Sequence, residues 1–264
     1  MISKANTINY SPFQAMTGLF RLIFPLNLLA ALSLLSYANT DEIISDDFSG
    51  DAGSIPVRKA ETDNTGISGN IWNWSSGSTY LEKGFIISAV TGVYAGGRIG
   101  IKAPAGLVEV AGVCEVNTGL TGSSVYTPVQ WVAVGFATTK SDSWVGNQPG
   151  NLLWGLVRPD GRWTLFQNGT TKTLADSTES TKLPPFDEGA SIKVSVQYNP
   201  KKSVAALFVD GVNISGWLDT DITANTIGAA GVLIYPNATS DPRVAKVDSF
   251  TVSNVSSIGT VPNN

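Results

Sequence analysis

The chain has 264 residues, a formal net charge of −4, 14% charged residues, no histidine and one cysteine. This composition is typical of a globular protein, and its weak acidity argues against nucleic acid and anionic membrane surfaces as partners, because both are bound through basic patches. The absence of histidine excludes Ser-His-Asp and Cys-His nucleophiles and histidine-bearing metal sites, and a single thiol cannot form a thiolate cage.

The first 38 residues have the features of an export signal. Lys4 and Arg21 are the charged residues before an apolar run over 22–35, and Ser36-Tyr37-Ala38 supplies small residues for a cleavage site. The run is short for a membrane span, and an uncleaved anchor is the alternative. We therefore predict a signal peptide over 1–38 and a secreted protein, extracellular or periplasmic, with no membrane contact after cleavage.

Residues 39–254 carry short strand patterns and no helical pattern of useful length. The predicted strands are 42–48, 80–89, 98–103, 107–117, 130–138, 152–158, 162–167, 191–198, 204–209, 228–235 and 244–253. Turn signals such as Pro159-Asp160-Gly161 and Asn199-Pro200 separate them. Many short strands without helices predict one sandwich or barrel over 39–254, and the polar residues 255–264 are expected to form a flexible C-terminal tail.

Alternation within residues 130–138 assigns the two faces of one strand. The predicted core face carries Val132, Val134 and Phe136. The opposite face carries Trp131 followed by the small residues Ala133, Gly135 and Ala137, which leaves room for a ligand above the sheet. Cys114 lies in another apolar strand and is expected to be a small buried hydrophobe.

Residues 191–217 predict two or three consecutive strands. Apolar and polar residues alternate over 191–198, residues 199–202 form a turn, and Asp210-Gly211 is a second turn signal. This hairpin resembles the late hairpin of concanavalin A-like (laminin-G-like, LamG-like) jelly rolls. Asp46-Asp47-Phe48 is similar to their opening strand, and Val247-Asp248-Ser249-Phe250-Thr251-Val252 to their closing strand.

The resemblance implies an all-β fold, a two-sheet antiparallel β-sandwich with a concave face or loop edge that binds glycan. Because lectins, modules attached to glycosidases and adhesion domains share this fold, the function depends on the site.

Tryptophan residues supply the candidate sugar contacts, since the flat C–H faces of sugars stack on aromatic rings. Trp144 lies in a loop with an acid and amides, namely Asp142, Asn147 and Gln148. Trp72 and Trp74 share one strand face in a segment rich in Asn, Ser and Gly, and Trp131 lies on the small-residue face. The alternative for each ring is packing at the end of the core.

Asp47 and Asp248 belong to the first and last strands, which are neighbours in the fold that the chain resembles. Two acids at this place could bind a structural calcium together with backbone carbonyls. Turn and edge hydrogen bonds are the alternative.

Carboxylates are the acid–base groups left for catalysis, since glycoside hydrolysis needs only two of them. Glu109 and Glu115 share a strand face, but six residues separate their backbones by roughly 20 Å, whereas glycosidase pairs lie about 5 to 9.5 Å apart. Tyr94 and Arg98 are the local candidates for a lyase pair.

Three hypotheses follow: a non-catalytic glycan-binding sandwich, a polysaccharide hydrolase or lyase on the same fold, and an adhesion or structural domain that binds protein.

Overall fold

A computed structural model describes residues 40–50, 53–54, 57–75, 79–82, 84–88, 93–116, 131–140, 150–168, 172–187, 189–235 and 245–256. Its strands in chain order are β1 Thr40–Asp46, β2 Gly53–Ser54, β3 Thr62–Asp63, β4 Asn73–Trp74, β5 Thr79–Glu82, β6 Phe85–Ser88, β7 Ala95–Gly100, β8 Val108–Val116 and β9 Trp131–Ala137. They continue with β10 Asn151–Val157, β11 Trp163–Gln167, β12 Lys172–Asp176, β13 Ala190–Asn199, β14 Val204–Val209, β15 Val212–Asn213, β16 Leu218–Asp219, β17 Ala229–Tyr235 and β18 Ala245–Val255. A short 3₁₀ helix spans Ala224–Thr226. Among these residues, none forms a helix that is long and apolar enough to cross a membrane.

Two antiparallel sheets contain all of these strands. The larger sheet has the order β15-β14-β13-β8-β18-β6-β5-β2, with β1 and β3 joined to it through β18 and with β16 paired to β14. The seven-stranded sheet has the order β12-β11-β10-β9-β17-β7-β4. The predicted two-sheet antiparallel β-sandwich is therefore confirmed.

The main core lies between the sheets and is built by alternate residues of their strands. Val132, Val134 and Phe136 of β9 belong to this core, as the alternation predicts. Ala133 instead joins a second apolar cluster with Trp154, Leu156 and Leu233. We call the face that carries this second cluster the outer face of the seven-stranded sheet, because its residues alternate with the core residues along the same strands.

Local turn chemistry explains the hairpin of β13 and β14. The side-chain oxygen of Asn199 accepts hydrogen bonds from the backbone N–H groups of Lys201 and Lys202, at 3.0 and 3.2 Å. The next turn uses Asp210 and Gly211, whose φ angles of 49° and 78° lie in the left-handed region that such two-residue hairpin turns need. Both predicted turns are present.

Two of the differences between the predicted and the observed strands have a local cause. The single strand predicted over 80–89 is a hairpin of β5 and β6, and Gly84 in its turn has a φ of +84° that favours glycine. Strand β12 gave no clear apolar alternation because it is a polar edge strand with no buried residue. The last strand reaches Val255, two residues beyond its predicted end at residue 253, while residues 1–39 and 257–264 lie outside the described residues.

Candidate functional site

Trp72 and Trp74 lie against the core between the sheets. Trp72 is 2% exposed, stacks on Trp74 with 4.8 Å between ring centroids, and packs edge-on against Phe250. Its indole N–H donates a 2.7 Å hydrogen bond to the buried carboxylate of Asp46. These contacts are those of core packing, which was the alternative to a sugar contact for this pair.

The loop predicted to bind sugar through Asp142, Trp144, Asn147 and Gln148 lies outside the described residues. Its described flanks are Lys140 and Gly150, and Gly150 accepts a 2.9 Å hydrogen bond from the backbone of Thr138. Lys140 follows the C-terminal end of β9, whereas Trp131 is the first residue of this strand. The two ends of β9 lie about 20 Å apart.

Trp131 is part of a continuous group of rings on the outer face. Its ring stacks on Tyr235 with centroids 5.8 Å apart and contacts Tyr94 at 5.5 Å, and the two tyrosine rings are 4.8 Å apart. All three side chains are partly exposed. We call Tyr94, Tyr235 and Trp131 the aromatic row.

Strand register explains why residues so distant in sequence meet. Tyr235 of β17 pairs directly with Trp131 of β9. On the other side of β17, Ile234 pairs with Ala95, so Tyr94 comes beside Tyr235 at the next position. Burial, and then the neighbouring Tyr235, raises the pKa of Tyr94, so its hydroxyl stays protonated and can donate a hydrogen bond at neutral pH.

Next to the aromatic row, the outer face is apolar. Further from the row, the side chain of Arg98 packs on this face. Ala133, Leu156 and Leu233 form a buried floor next to the row. Further along, Arg98 is fully buried, and its guanidinium lies 5.5 Å from the ring centre of Trp154 and donates a hydrogen bond to Asn151. Arg98 therefore packs within the sheet face and is not accessible to a substrate.

Two glycines let these large side chains lie flat on the sheet. A Cβ on Gly135 would lie 2.6 Å from the Trp154 ring, and one on Gly231 would lie 2.8 Å from Cγ of Arg98. Gly135 pairs with Gly231 on one side and with Trp154 on the other, so the two glycines leave a stretch of the sheet surface without side chains. The packing of Trp154 is thus on the outer face and not in the main core.

A group of carboxylates lies at the end of β1. Asp46, Asp47 and Glu61 each place one oxygen within 4.8 Å of the others. The buried Asp46 already accepts hydrogen bonds from Arg58, the Phe48 backbone and Trp72. Arg58 is therefore the cation that neutralises this group.

Asp47 directly follows β1 and Asp248 lies in β18, and these two strands are paired, as the resemblance implies. Asp46 of β1 pairs with Phe250 of β18, and Asp248 falls at a register shift between Val247 and Ser249. Burial, then Glu115 and Asp47, raises the pKa of Asp248. A hydrogen bond with Glu61 is the main cause that lowers the pKa of Asp47, while burial, ahead of that hydrogen bond, raises the pKa of Glu61. The oxygens grouped closely enough to share an ion include Asp47 but not Asp248, and Arg58 already satisfies Asp46. The acidic group that could hold a cation therefore consists of Asp46, Asp47 and Glu61, and Asp248 is not part of it.

Glu109 and Glu115 are engaged in ion pairs on the larger sheet. Glu109 binds Lys193 at 2.7 Å and Gln197 at 2.7 Å, and Glu115 binds Lys246 at 3.1 Å. Both carboxylates are therefore paired with lysines of the same sheet.

Comparisons with known proteins agree on the fold. No protein-family model matches the chain, and no curated protein matches it in sequence. Among solved structures, the Emp47p carbohydrate recognition domain has a TM-score of 0.52 and 13% identity, over 83% of this chain and 99% of that one. The metal-free Emp46p carbohydrate recognition domain has a TM-score of 0.51 and 14% identity, over 71% and 89%.

A third similar structure is an enzyme, the sialidase of Trypanosoma rangeli in complex with a difluorinated ketodeoxynononic acid. Its TM-score is 0.50 and its identity 10%, over 81% of this chain and 30% of the sialidase. At these identities the likeness concerns the fold alone. The chain has the two-sheet antiparallel β-sandwich fold that these structures share, which is the fold that its hairpin and its first and last strands predict.

Proposed function

We propose that this chain is a lectin-like module that binds a glycan without chemical conversion, on the outer face of the seven-stranded sheet. The observation that carries the proposal is the aromatic row: three partly exposed rings in mutual contact on three adjacent strands. Aromatic rings at a surface combine an apolar face for sugar C–H groups with polar atoms for hydroxyls.

The dimensions of the row favour a chain of sugars over a single ring. Tyr94, Tyr235 and Trp131 span two strand spacings, or about 10 Å. The buried floor of Ala133, Leu156 and Leu233 carries no charge beside the rings. A sugar chain that lies across the strands would stack on consecutive rings and contact this floor with its edge.

The structural neighbours support the same class of ligand. Emp46p and Emp47p are carbohydrate recognition domains, and the sialidase is an enzyme of sugar chemistry. We favour a non-catalytic role because Glu109 and Glu115 form ion pairs and Arg98 is fully buried.

Binding of the purified protein to a panel of polysaccharides tests the proposal. We expect Trp131→Ala to weaken binding about tenfold, equivalent to ~1.4 kcal/mol of stacking energy. Trp217→Ala is the matched control, since Trp217 is also partly buried but packs against Phe208 of the larger sheet. No binding to any glycan, or equal loss in both variants, would refute the aromatic row as the site.

The variant Trp144→Ala tests the loop that the sequence predicts as a contact. Binding lost in Trp144→Ala but kept in Trp131→Ala would move the site from the aromatic row to the loop. Loss in both variants would mean that the loop and the aromatic row both contribute to binding.

Secretion is the second part of the proposal and rests on the charge and hydropathy pattern of residues 1–38. Cleavage after Ala38 removes the apolar run and leaves Asn39 as the first residue. Mass spectrometry of the protein exported from its host measures the new N-terminus. An intact N-terminus in the membrane fraction would instead favour the uncleaved anchor.

A structural calcium at Asp47 and Asp248 is a separate prediction from the sequence. Since Arg58 already neutralises Asp46 beside Asp47, we expect the Tm to be equal in calcium and in chelator. A Tm that rises in calcium for the wild type but not for Asp248→Asn would support the predicted site.

A further inference from the structure

The row of side chains at this end of the sheet continues beyond Trp131 to two arginines. Val157 of β10 pairs with Val132 of β9, which places Arg158 beside Trp131 one position further on. Val157 also pairs with Trp163 of β11, and the Arg158 backbone donates a 2.8 Å hydrogen bond to Arg162.

Alternation places both arginines on the outer face. Val132, Val157 and Trp163 all belong to the main core, so their sequence neighbours Trp131, Arg158 and Arg162 lie on the opposite side. The outer face thus carries, in spatial order across five adjacent strands, three aromatic residues followed by two arginines.

The two arginines differ in their partners. Arg162 forms an ion pair with Asp160 at 2.6 Å. The Arg158 side chain is partly buried and has no ion pair or hydrogen bond within the described part of the chain. Buried or half-buried cations are usually paired, because burial removes part of their hydration.

The electrostatic surroundings leave Arg158 uncompensated. Burial first, and then the charge of Arg162, lowers its pKa, while Asp160 and Asp176 act in the opposite direction without offsetting these effects. Asp176 accepts a 2.7 Å hydrogen bond from Thr164 and lies on the edge strand. The guanidinium remains charged at neutral pH and would gain energy from an anion that replaces its missing partner.

We propose that the site selects acidic glycans, with an anionic group of the sugar bound by Arg158 while neighbouring sugar rings stack on the aromatic row. This inference rests on the proposed glycan-binding function and deepens it. A planar guanidinium donates two parallel N–H bonds to a carboxylate or a sulfate, and its neighbour Trp131 supplies the stacking surface.

A single unpaired arginine gives selectivity at short range with little long-range attraction. The whole chain has a net charge of −4, so it does not accumulate polyanions near its surface. Binding should therefore decrease only a few-fold between low and high salt, unlike the steep salt dependence of a polybasic surface.

The test compares polysaccharides that share a backbone and differ in charge. Purified protein is titrated with polygalacturonate and with its fully methyl-esterified form, and in a second arm with a sulfated galactan and its unsulfated counterpart. We expect an affinity ratio of at least tenfold in favour of one acidic member. The arm that shows it identifies carboxylate or sulfate as the recognised group.

Variants separate this proposal from the underlying function. We expect Arg158→Gln to reduce the acidic-to-neutral ratio to about one, whereas Lys193→Gln, which removes a cation from the larger sheet, leaves the ratio unchanged. A wild-type ratio near one, or a ratio unaffected by Arg158→Gln, overturns acidic selectivity even if Trp131→Ala still weakens binding. If wild-type protein binds none of the four polymers, the proposed function fails together with the selectivity.

Unfolding of Arg158→Gln would confuse this result, so its Tm is compared with that of the wild type. Arg158→Lys is the second variant: it keeps the charge but loses the fork of parallel donors. We expect an intermediate ratio for it, and a ratio equal to that of the wild type would contradict recognition by a guanidinium.

Discussion

At the scale of single residues, the carboxylate of Asp46 accepts hydrogen bonds from Arg58, Trp72 and the backbone of Phe48. Asp46 is 1% exposed and depends on Arg58 for its charge balance. We expect Arg58→Met to destabilise the protein by about 3–5 kcal/mol, because it leaves a carboxylate buried without its cation. Urea unfolding followed by tryptophan fluorescence measures the change.

An exposed ion pair provides the control for this prediction. Glu179, whose side chain is 84% exposed, pairs with Lys182, and Lys182→Met should change stability by less than about 1 kcal/mol. Replacement of both partners by Asp46→Asn with Arg58→Met should recover part of the loss. A double variant as unstable as Arg58→Met alone would show that the hydrogen bonds of Asp46, and not its charge, are limiting.

Asp248 makes stability depend on pH in the opposite direction from an ordinary salt-bridged acid. Burial, Glu115 and Asp47 raise its pKa in the folded state above the unfolded value of about 3.9. The folded state thus binds this proton more tightly, and its contribution to stability is lost as pH rises through the raised pKa.

Asp248→Asn should therefore be more stable than the wild type at pH 7.5, with the difference disappearing near pH 3.5. Since Asp248 is largely exposed, we expect only a few tenths of a kcal/mol, or about 1 °C in Tm. Thermal melts at the two pH values measure this difference. A variant that is less stable at pH 7.5 would point to a cation held by Asp248.

At the scale of elements, the close approach of the two sheets depends on a glycine in β10. A Cβ on Gly155 would lie 2.4 Å from Cδ1 of Leu207 and 2.6 Å from Cγ2 of Val196, both fully buried on the larger sheet. We expect Gly155→Ala to cost about 1–3 kcal/mol through overpacking, measured by urea unfolding.

Gly106→Ala is the matched control, since nothing lies within 4 Å of a Cβ at that position. Its stability should stay within about 0.5 kcal/mol of the wild type. Equal stability of Gly155→Ala and Gly106→Ala would show that the sheets can separate without cost.

Strands and turns that depend on neighbouring residues could be predicted from the sequence. The β13–β14 hairpin follows from its alternation and from Asn199, and the two faces of β9 follow from the period of two. The β5–β6 hairpin was missed because apolar residues continue on both sides of a very short turn at Gly84. Local patterns fix the period of a strand more reliably than the place where it reverses.

The candidate site is assembled by pairing between strands that are distant in sequence, and no short stretch of the sequence shows which strands pair or in which register. Trp131 could be assigned to the outer face, but Tyr94 and Tyr235 meet it only through the pairing of β7, β17 and β9. Arg158 likewise gains its position beside Trp131 from the β9–β10 register. For Trp72 and Trp74, alternation gave a shared face without showing that this face is the core.

At the scale of the whole molecule, the reactivity of the Cys114 thiol reports on unfolding of the sandwich. It is the sole cysteine and lies on β8 in the interior of the larger sheet, where it pairs with Ile192 of β13 and Val247 of β18. The residue is fully buried, and burial raises the pKa of its thiol. Since only the thiolate reacts, labelling requires exposure of this strand.

Both neighbours of β8 must separate from it before a reagent can reach Cys114. We therefore expect thiol labelling in native buffer to proceed only through global unfolding, with the free energy of opening equal to that from urea melts. A labelling rate measured at increasing urea should extrapolate to that value with the same slope. Rapid labelling without denaturant would mean that β8 opens locally, and that the two sheets do not unfold as one cooperative unit.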